Sequence, residues 1–224
     1  MARSRSSVHS TSHGKKTTRR RAEAPRIGRP DPTREPKKTL LISTEDEVSS
    51  LNYLKKFVGE EAVRERWAVS FADHAGSNPR TVAHLAKKTN NEEGPFDETW
   101  LVFDTEGPQN HQRIADARDA VETARQLGYR TAVSNPCFEF WLILHFERFA
   151  GTIADDSAAC HRLWRHIKEY EKGFDCYTPT RPLLDRALQN ARELFAERCT
   201  QNAGHPCDCH PCTQLFRLIN SLLG

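Results

Sequence analysis

Between residues 39 and 146, five-residue apolar runs alternate with stretches of helical periodicity, and this alternation constrains the fold more than any other feature of the chain. Thr39–Ser43, Trp67–Phe71, Thr99–Phe103 and Tyr129–Val133 have the length and the β-branched or aromatic content of buried strands. Between them, apolar side chains recur at helical spacing: Leu51, Leu54, Phe57 and Val58; then Val82, Leu85 and Ala86; then Ile114, Ala117, Val121, Ala124 and Leu127. The last of these stripes stops at Gly128, a residue suited to ending a helix. The second strand runs into a turn-rich loop of Asp73, Gly76, Ser77, Asn78 and Pro79. Strands alternating with helices argue for a parallel sheet covered on both faces. Pro136 is placed to open one more helix, with Asn135 as its cap. Phe138–Phe146 is apolar almost all round, so that helix is expected to be deeply buried, with His145 as a hydrogen-bonded core residue.

Beyond Gly151 the pattern is helical. Leu163, Trp164, Ile167 and Tyr170 form one stripe; Leu184, Ala187, Leu188, Ala191 and Phe195 a second; Leu215, Leu218, Ile219 and Leu222 a third. Trp100, Trp141 and Trp164 are read as core, and His161 and His166 as flanking a helix face. The expected fold class is therefore α/β: a small parallel sheet flanked by helices, with an α-helical C-terminal part. Three segments are expected, a basic tail over 1–38, an α/β domain over 39–150 and a helical extension over 151–224.

Charge separates the first segment from the rest. Residues 1–39 hold 12 Lys or Arg and three acids, a net of +9, and the remainder carries a net of −6. The segment has no Phe, Trp, Tyr or Leu. It cannot bury enough apolar surface to offset an ordering entropy of roughly 1–2 kcal/mol per residue, so it reads as disordered. Such a tail is either a solubilising extension or a nonspecific phosphate-binding arm. No apolar stretch reaches the 18 or more residues a membrane span needs, and no apolar run follows Arg3 and Arg5 as in a secretory signal. The expectation is a cytoplasmic protein whose seven cysteines are reduced thiols or metal ligands rather than disulfides.

Acidic residues fall where an open α/β sheet binds its ligands, beyond the carboxyl ends of the strands. Glu45, Asp46 and Glu47 follow the first strand, Asp73 and His74 the second, and Asp104 and Glu106 the third. Ser134 and Asn135 follow the fourth, with Glu139 one helical turn on. Any one of these could be a solvated loop residue or a charge favoured at a helix N-terminus. Together at one sheet edge they would repel one another without a cation. A hard divalent ion such as magnesium or manganese suits all-oxygen ligands. Glu139 lies within an otherwise apolar run and needs a partner or a cation there.

Ser134-Asn135-Pro136-Cys137-Phe138-Glu139-Phe140-Trp141-Leu142-Ile143-Leu144-His145-Phe146 resembles the signature of RloB-like proteins. Ile42-Ser43-Thr44-Glu45-Asp46-Glu47 through Asn52-Tyr53 is similar to that family's first motif, and Val102–Glu106 to its Asp-x-Asp motif. Pro211-Cys212-Thr213 before Leu215–Leu222 is similar to its closing helix. The resemblance spans about 38–223. It implies a Toprim-type fold, which binds magnesium and works on phosphodiester bonds, and a place in bacterial phage resistance beside a partner ATPase. On the matched positions, Glu45 would be the general acid/base or a metal ligand. Asp104 and Glu106 would bind magnesium, and Glu139 would be a ligand or structural anchor. Asp46 stands where the family usually has Gly, Ser50 where it has a second acid, and Glu106 where it has Asp. The resemblance thus implies a magnesium-dependent nuclease or nuclease-like subunit. The alternative is a noncatalytic module that binds nucleic acid or the ATPase on the same fold.

A second constellation lies near the C-terminus. Cys199, His205, Cys207, Cys209, His210 and Cys212 fall within 14 residues. Soft thiolates suit zinc, with Cys199, Cys207, Cys209 and Cys212 as candidate ligands. The pairs Cys207-x-Cys209 and Cys209-x-x-Cys212 share a residue, so unligated thiols are the other reading.

Overall fold

Each of the four apolar runs forms a strand. In the computed structural model, which describes residues 36–73, 78–200 and 205–224, β1 (Lys38–Thr44), β2 (Trp67–Phe71), β3 (Glu98–Asp104) and β4 (Arg130–Asn135) are all parallel. The sheet order is β2-β1-β3-β4-β5, where β5 (Cys212–Thr213) is a two-residue strand antiparallel to β4. Sequence periodicity does not reveal β5, because two residues carry no period. The tail expected over 1–38 lies almost wholly outside the described residues, as does His74.

Helices cover both faces. On one side α3 (Pro79–Glu93) and α4 (His111–Leu127) bury Val82, Ala83, Ala86, Ala117, Ala120 and Ala124 against Leu101, Phe103 and Val133. Small alanines let these two helices lie close to the strands. On the other side Leu40, Ile42, Trp100, Val102 and Ala132 meet the larger core. The two sets alternate along each strand, as the pleat requires. Asn78 caps α3 by accepting from Arg80 N, and Gly128 ends α4 at φ 71, a left-handed conformation that glycine takes without strain.

The larger core is built around α5 (Phe138–Phe146), every residue of which from Phe138 to His145 is buried. Around it pack α1 (Ser49–Val58), α6 (Asp156–Leu163), α8 (Leu184–Phe195) and α9 (Leu215–Leu223), with the short α2 (Glu61–Arg66) and α7 (Tyr177–Thr180) between. The C-terminal helices share one apolar cluster with the sheet, and residues 36–224 form one compact unit. His145 sits in this core as expected. Its Nδ1–H donates to Trp141 O at 3.0 Å, which leaves Nε2 to accept from Tyr53 Oη at 3.4 Å. Burial pushes its pKa down to about 4, so the ring is neutral.

Three expectations need correction. The buried helix starts at Phe138 with Cys137 at its cap, not at Pro136, because Asn135 is still paired in β4 with Cys212. The stripe from Leu163 to Tyr170 is not one helix. α6 ends at Leu163 and the chain turns back, and the Trp164 indole Nε1–H donates to Tyr170 O at 2.8 Å across the turn. Leu163, Ile167 and Tyr170 remain buried, but Trp164 is 44% exposed and is not core. Its ring meets His161 edge-on, while His166 stacks on Phe146 and bonds Glu147.

Candidate active site

The carboxyl ends of β1 and β3 lie side by side, because Thr44 pairs with Val102. Glu45 continues β1 through a bond from its N–H to Val102 O, and its Oε2 accepts from Asp104 N at 3.1 Å. Asp104, the last residue of β3, accepts from Phe138 N at 3.1 Å through Oδ2. One carboxylate thus bonds the strand end and the other the first turn of α5. Glu139 lies in that same first turn, and Tyr170 Oη–H donates to its Oε1 at 2.6 Å.

Glu106 takes a left-handed conformation, φ 59, at a non-glycine position, a strain of about 1–2 kcal/mol. Its N–H is held by Pro136 O at 2.8 Å. The next residue, Gly107, also has positive φ, and a Cβ there would lie 2.2 Å from Ala154 O, so no other residue fits. This turn carries Glu106 to the same opening as Glu45 and Asp104.

Glu45, Asp46, Glu47, Asp104, Glu106 and Glu139 line one cavity of roughly 680 Å³, together with Ser49, Arg113, Cys137, Asp156, Cys160 and Lys172. Burial, followed by the charge of Glu139, pushes the Asp104 carboxyl well above the usual carboxylate range. Burial and the same carboxylates push the Cys137 thiol up. Both shifts record a local excess of negative charge in a place poorly reached by water.

The charge is partly met by Arg113. Its guanidinium pairs with Glu45, lies 3.5 Å from Glu106 Oε1, and donates from Nε to Asp104 O at 3.2 Å. Sequence reading passed over this residue. The available signal was a basic side chain in the first turn of α4, where the helix dipole disfavours it. Tyr170 was read only as part of an apolar stripe, although its hydroxyl reaches Glu139. Asp156, Cys160 and Lys172 reach the cavity from beyond Gly151, which no local spacing foretells.

Asp46 explains its own departure from glycine. Its carboxylate accepts from Val48 N at 3.2 Å and from Ser50 N at 2.6 Å, and so holds the start of α1. Ser50 is buried there. Asp73 is exposed at the end of β2 and is not among the cavity residues. Ser134 and Asn135 turn away from the cavity: Ser134 Oγ bonds Thr213 Oγ1, and Asn135 bonds Cys207 O and His210 Nδ1.

The donor chemistry fits a hard divalent cation, since Glu45, Asp104, Glu106 and Glu139 offer carboxylate oxygens to one cavity. They are not drawn together as a closed set. Among the described residues, the group of three potential ligands whose ligand atoms all lie within 4.8 Å of one another is Cys199, Cys209 and Cys212.

The model of the family described as RloB-like protein matches residues 40–222. The chain belongs to the RloB-like family. The match runs from β1 into α9, so this RloB-like protein carries both the acidic cavity and the cysteine-rich segment inside the family region, with the basic segment before it. No curated protein and no solved structure matches the chain. Among the described residues, no helix is long and apolar enough to cross a membrane.

The four cysteines expected as zinc ligands do not stay together. Cys207 is buried in the cluster that α3 and α4 form against the sheet. Cys199, Cys209 and Cys212 form a separate cluster against Phe195. Nor are all seven cysteines reduced: Cys199 and Cys209 are joined through their Sγ atoms. Cys212 Sγ stands 3.8 Å from Cys199 Sγ.

Proposed function

We propose that this RloB-like protein is a magnesium- or manganese-dependent nuclease, or nuclease-like subunit, of Toprim type, acting on nucleic acid in antiphage defence. The observation that carries this reading is the convergence of four acids from the ends of two strands and the first turn of α5 on one cavity, with Asp104 pushed above its ordinary range by burial and by Glu139. A bound divalent ion would relieve that repulsion, polarise a phosphate and stabilise charge on the displaced oxygen. Asp104, Glu106 and Glu139 are the residues that would hold it. Glu45, fixed by Asp104 N–H and Arg113, is placed to carry a proton to or from a reacting oxygen. Arg113 would supply positive charge to a phosphate entering the cavity while its Nε and Nη2 hold Asp104 O and Glu45. Tyr170 keeps Glu139 oriented. A cytoplasmic location and a partner ATPase belong to the same reading.

A second reading, a noncatalytic module binding nucleic acid or the ATPase, is favoured by one observation: Arg113 already pairs with Glu45 in the lining of the cavity. The two are separated by titrating manganese by calorimetry into the protein and into Asp104→Ala, then assaying cleavage of phage DNA, RNA and tRNA. The nuclease reading expects binding that Asp104→Ala abolishes, and manganese-dependent cleavage. Equal binding by both proteins would sink it. Metal binding without cleavage, with and without the ATPase, would leave the binding module.

A further inference from the structure

The cysteine cluster lies outside the acidic cavity and takes no part in its chemistry. Cys199 comes from the single π-helical turn that continues α8 (Ala196–Thr200), and Cys209 and Cys212 from the segment that enters β5. All three are buried, at 7%, 4% and 1% exposure. Their sulfurs lie within 4.8 Å of one another. Cys209-x-x-Cys212 presents two ligands from one turn, the commonest half-site for zinc, and Cys199 adds a third from a separate element.

The surroundings suit a metal–thiolate group better than three thiols. Besides the bond that joins Cys199 to Cys209, the contacts of these sulfurs are long: Cys209 Sγ lies 3.9 Å from His205 O, and Cys199 Sγ 3.8 Å from Cys212 Sγ. Three thiolates around a dication leave a net charge of −1, which needs a cation nearby. Arg198 supplies one. Its guanidinium donates to His210 O and to Ala150 O, beside the cluster.

We propose that Cys199, Cys209 and Cys212 form a structural zinc site, open when all three are reduced, and that the bond between Cys199 and Cys209 is the oxidised form of the same three sulfurs. Cys207 is not a ligand. A small-molecule dithiol gives two electrons and two protons to the S–S bond and itself becomes a disulfide. The zinc ion then displaces the three thiol protons to solvent, and a water completes the tetrahedron. The ion ties the end of α8 to β5. Through the pairing of Cys212 with Asn135, it steadies the turn that leads to Phe138 and the cavity. This inference does not depend on the nuclease reading.

The test uses the full chain purified with a dithiol and without chelator. Metal analysis should find about one zinc per chain, and the same in Cys207→Ser. Cys212→Ser should retain less than a tenth of it. Cobalt titrated into the reduced, zinc-free wild type should give the visible bands of a tetrahedral thiolate site, displaced by one equivalent of zinc. That measurement stands even where Cys212→Ser folds poorly. Protein oxidised with diamide should take up neither metal. Absence of zinc and of cobalt bands in reduced protein would overturn the proposal. So would full zinc uptake by oxidised protein, or loss of zinc in Cys207→Ser as complete as in Cys212→Ser.

Discussion

The acidic cavity and the cysteine seam lie on either side of the same turn, Asn135–Phe138, and they manage their ligands in opposite ways. In the cavity, carboxylates are spaced around open volume and one of them is paired with an arginine. In the seam, the three cysteines are buried together and packed against Phe195. Hydrated oxygens repel and need a mobile counter-charge; neutral sulfurs tolerate burial and contact. A cavity that must exchange its occupant is built the first way, and a joint that must only hold is built the second.

The largest effect should come from removing the counter-charge. Arg113→Met leaves Glu45 buried without its partner and should cost roughly 3–5 kcal/mol in urea unfolding without divalent ions. Added magnesium should return part of that loss. A variant as stable as wild type in chelator would erase the distinction between the two regions.

A somewhat smaller effect comes from the apolar core behind them. His145 is neutral in the fold with its pKa near 4, against an ordinary value of 6.5. Between those values the unfolded chain binds more protons than the folded one, so stability falls as pH drops from 6.5 to 4. The loss amounts to roughly 3 kcal/mol. His145→Phe should flatten that slope in a pH series of melting curves, and an unchanged slope would place the acid sensitivity elsewhere.

Asp104 has the opposite sign. Its folded pKa is raised, so the folded state binds more protons above pH 3.8 and stability falls as pH rises through the folded value. Asp104→Asn keeps an oxygen to accept from Phe138 N–H and removes the charge. It should stabilise the metal-free protein at neutral pH, read as a higher melting temperature in chelator. A lower melting temperature in chelator would show that the cavity is not over-charged.

The smallest effect on stability lies outside both regions. Deleting residues 1–37 removes 11 basic side chains and should hardly move the melting temperature. Nonspecific nucleic-acid binding should weaken, with a shallower salt dependence in fluorescence anisotropy. Identical salt slopes would mean that the segment contributes no phosphate contacts.

The parallel sheet was legible because strands buried on both faces leave continuous apolar runs, and Phe138–Phe146 because a helix buried all round does the same. Glu45, Asp104, Glu106 and Glu139 were legible as cavity residues because strand ends in such sheets converge. Arg113 and Tyr170 were not, since their roles depend on which distant element each helix and turn faces. The four-cysteine set failed for a related reason. A single residue separates Cys207 from Cys209, yet the two side chains pack into different clusters. β5 and the turn after Leu163 depend on pairings, Cys212 with Asn135 and Trp164 with Tyr170, that leave no local period.

The turn after Leu163 also equips the molecule with an optical reporter. Trp67, Trp100 and Trp141 are shielded, at 7%, 2% and 0% exposure, and Trp164 alone among the four meets solvent. Its indole is moored to the carbonyl of Tyr170, whose hydroxyl grips Glu139 at the cavity. Collisional quenchers in water therefore address one emitter selectively. A ligand that pulls Glu139 toward itself would be read at a distance as a change in the colour and accessibility of that single fluorophore, with no label attached.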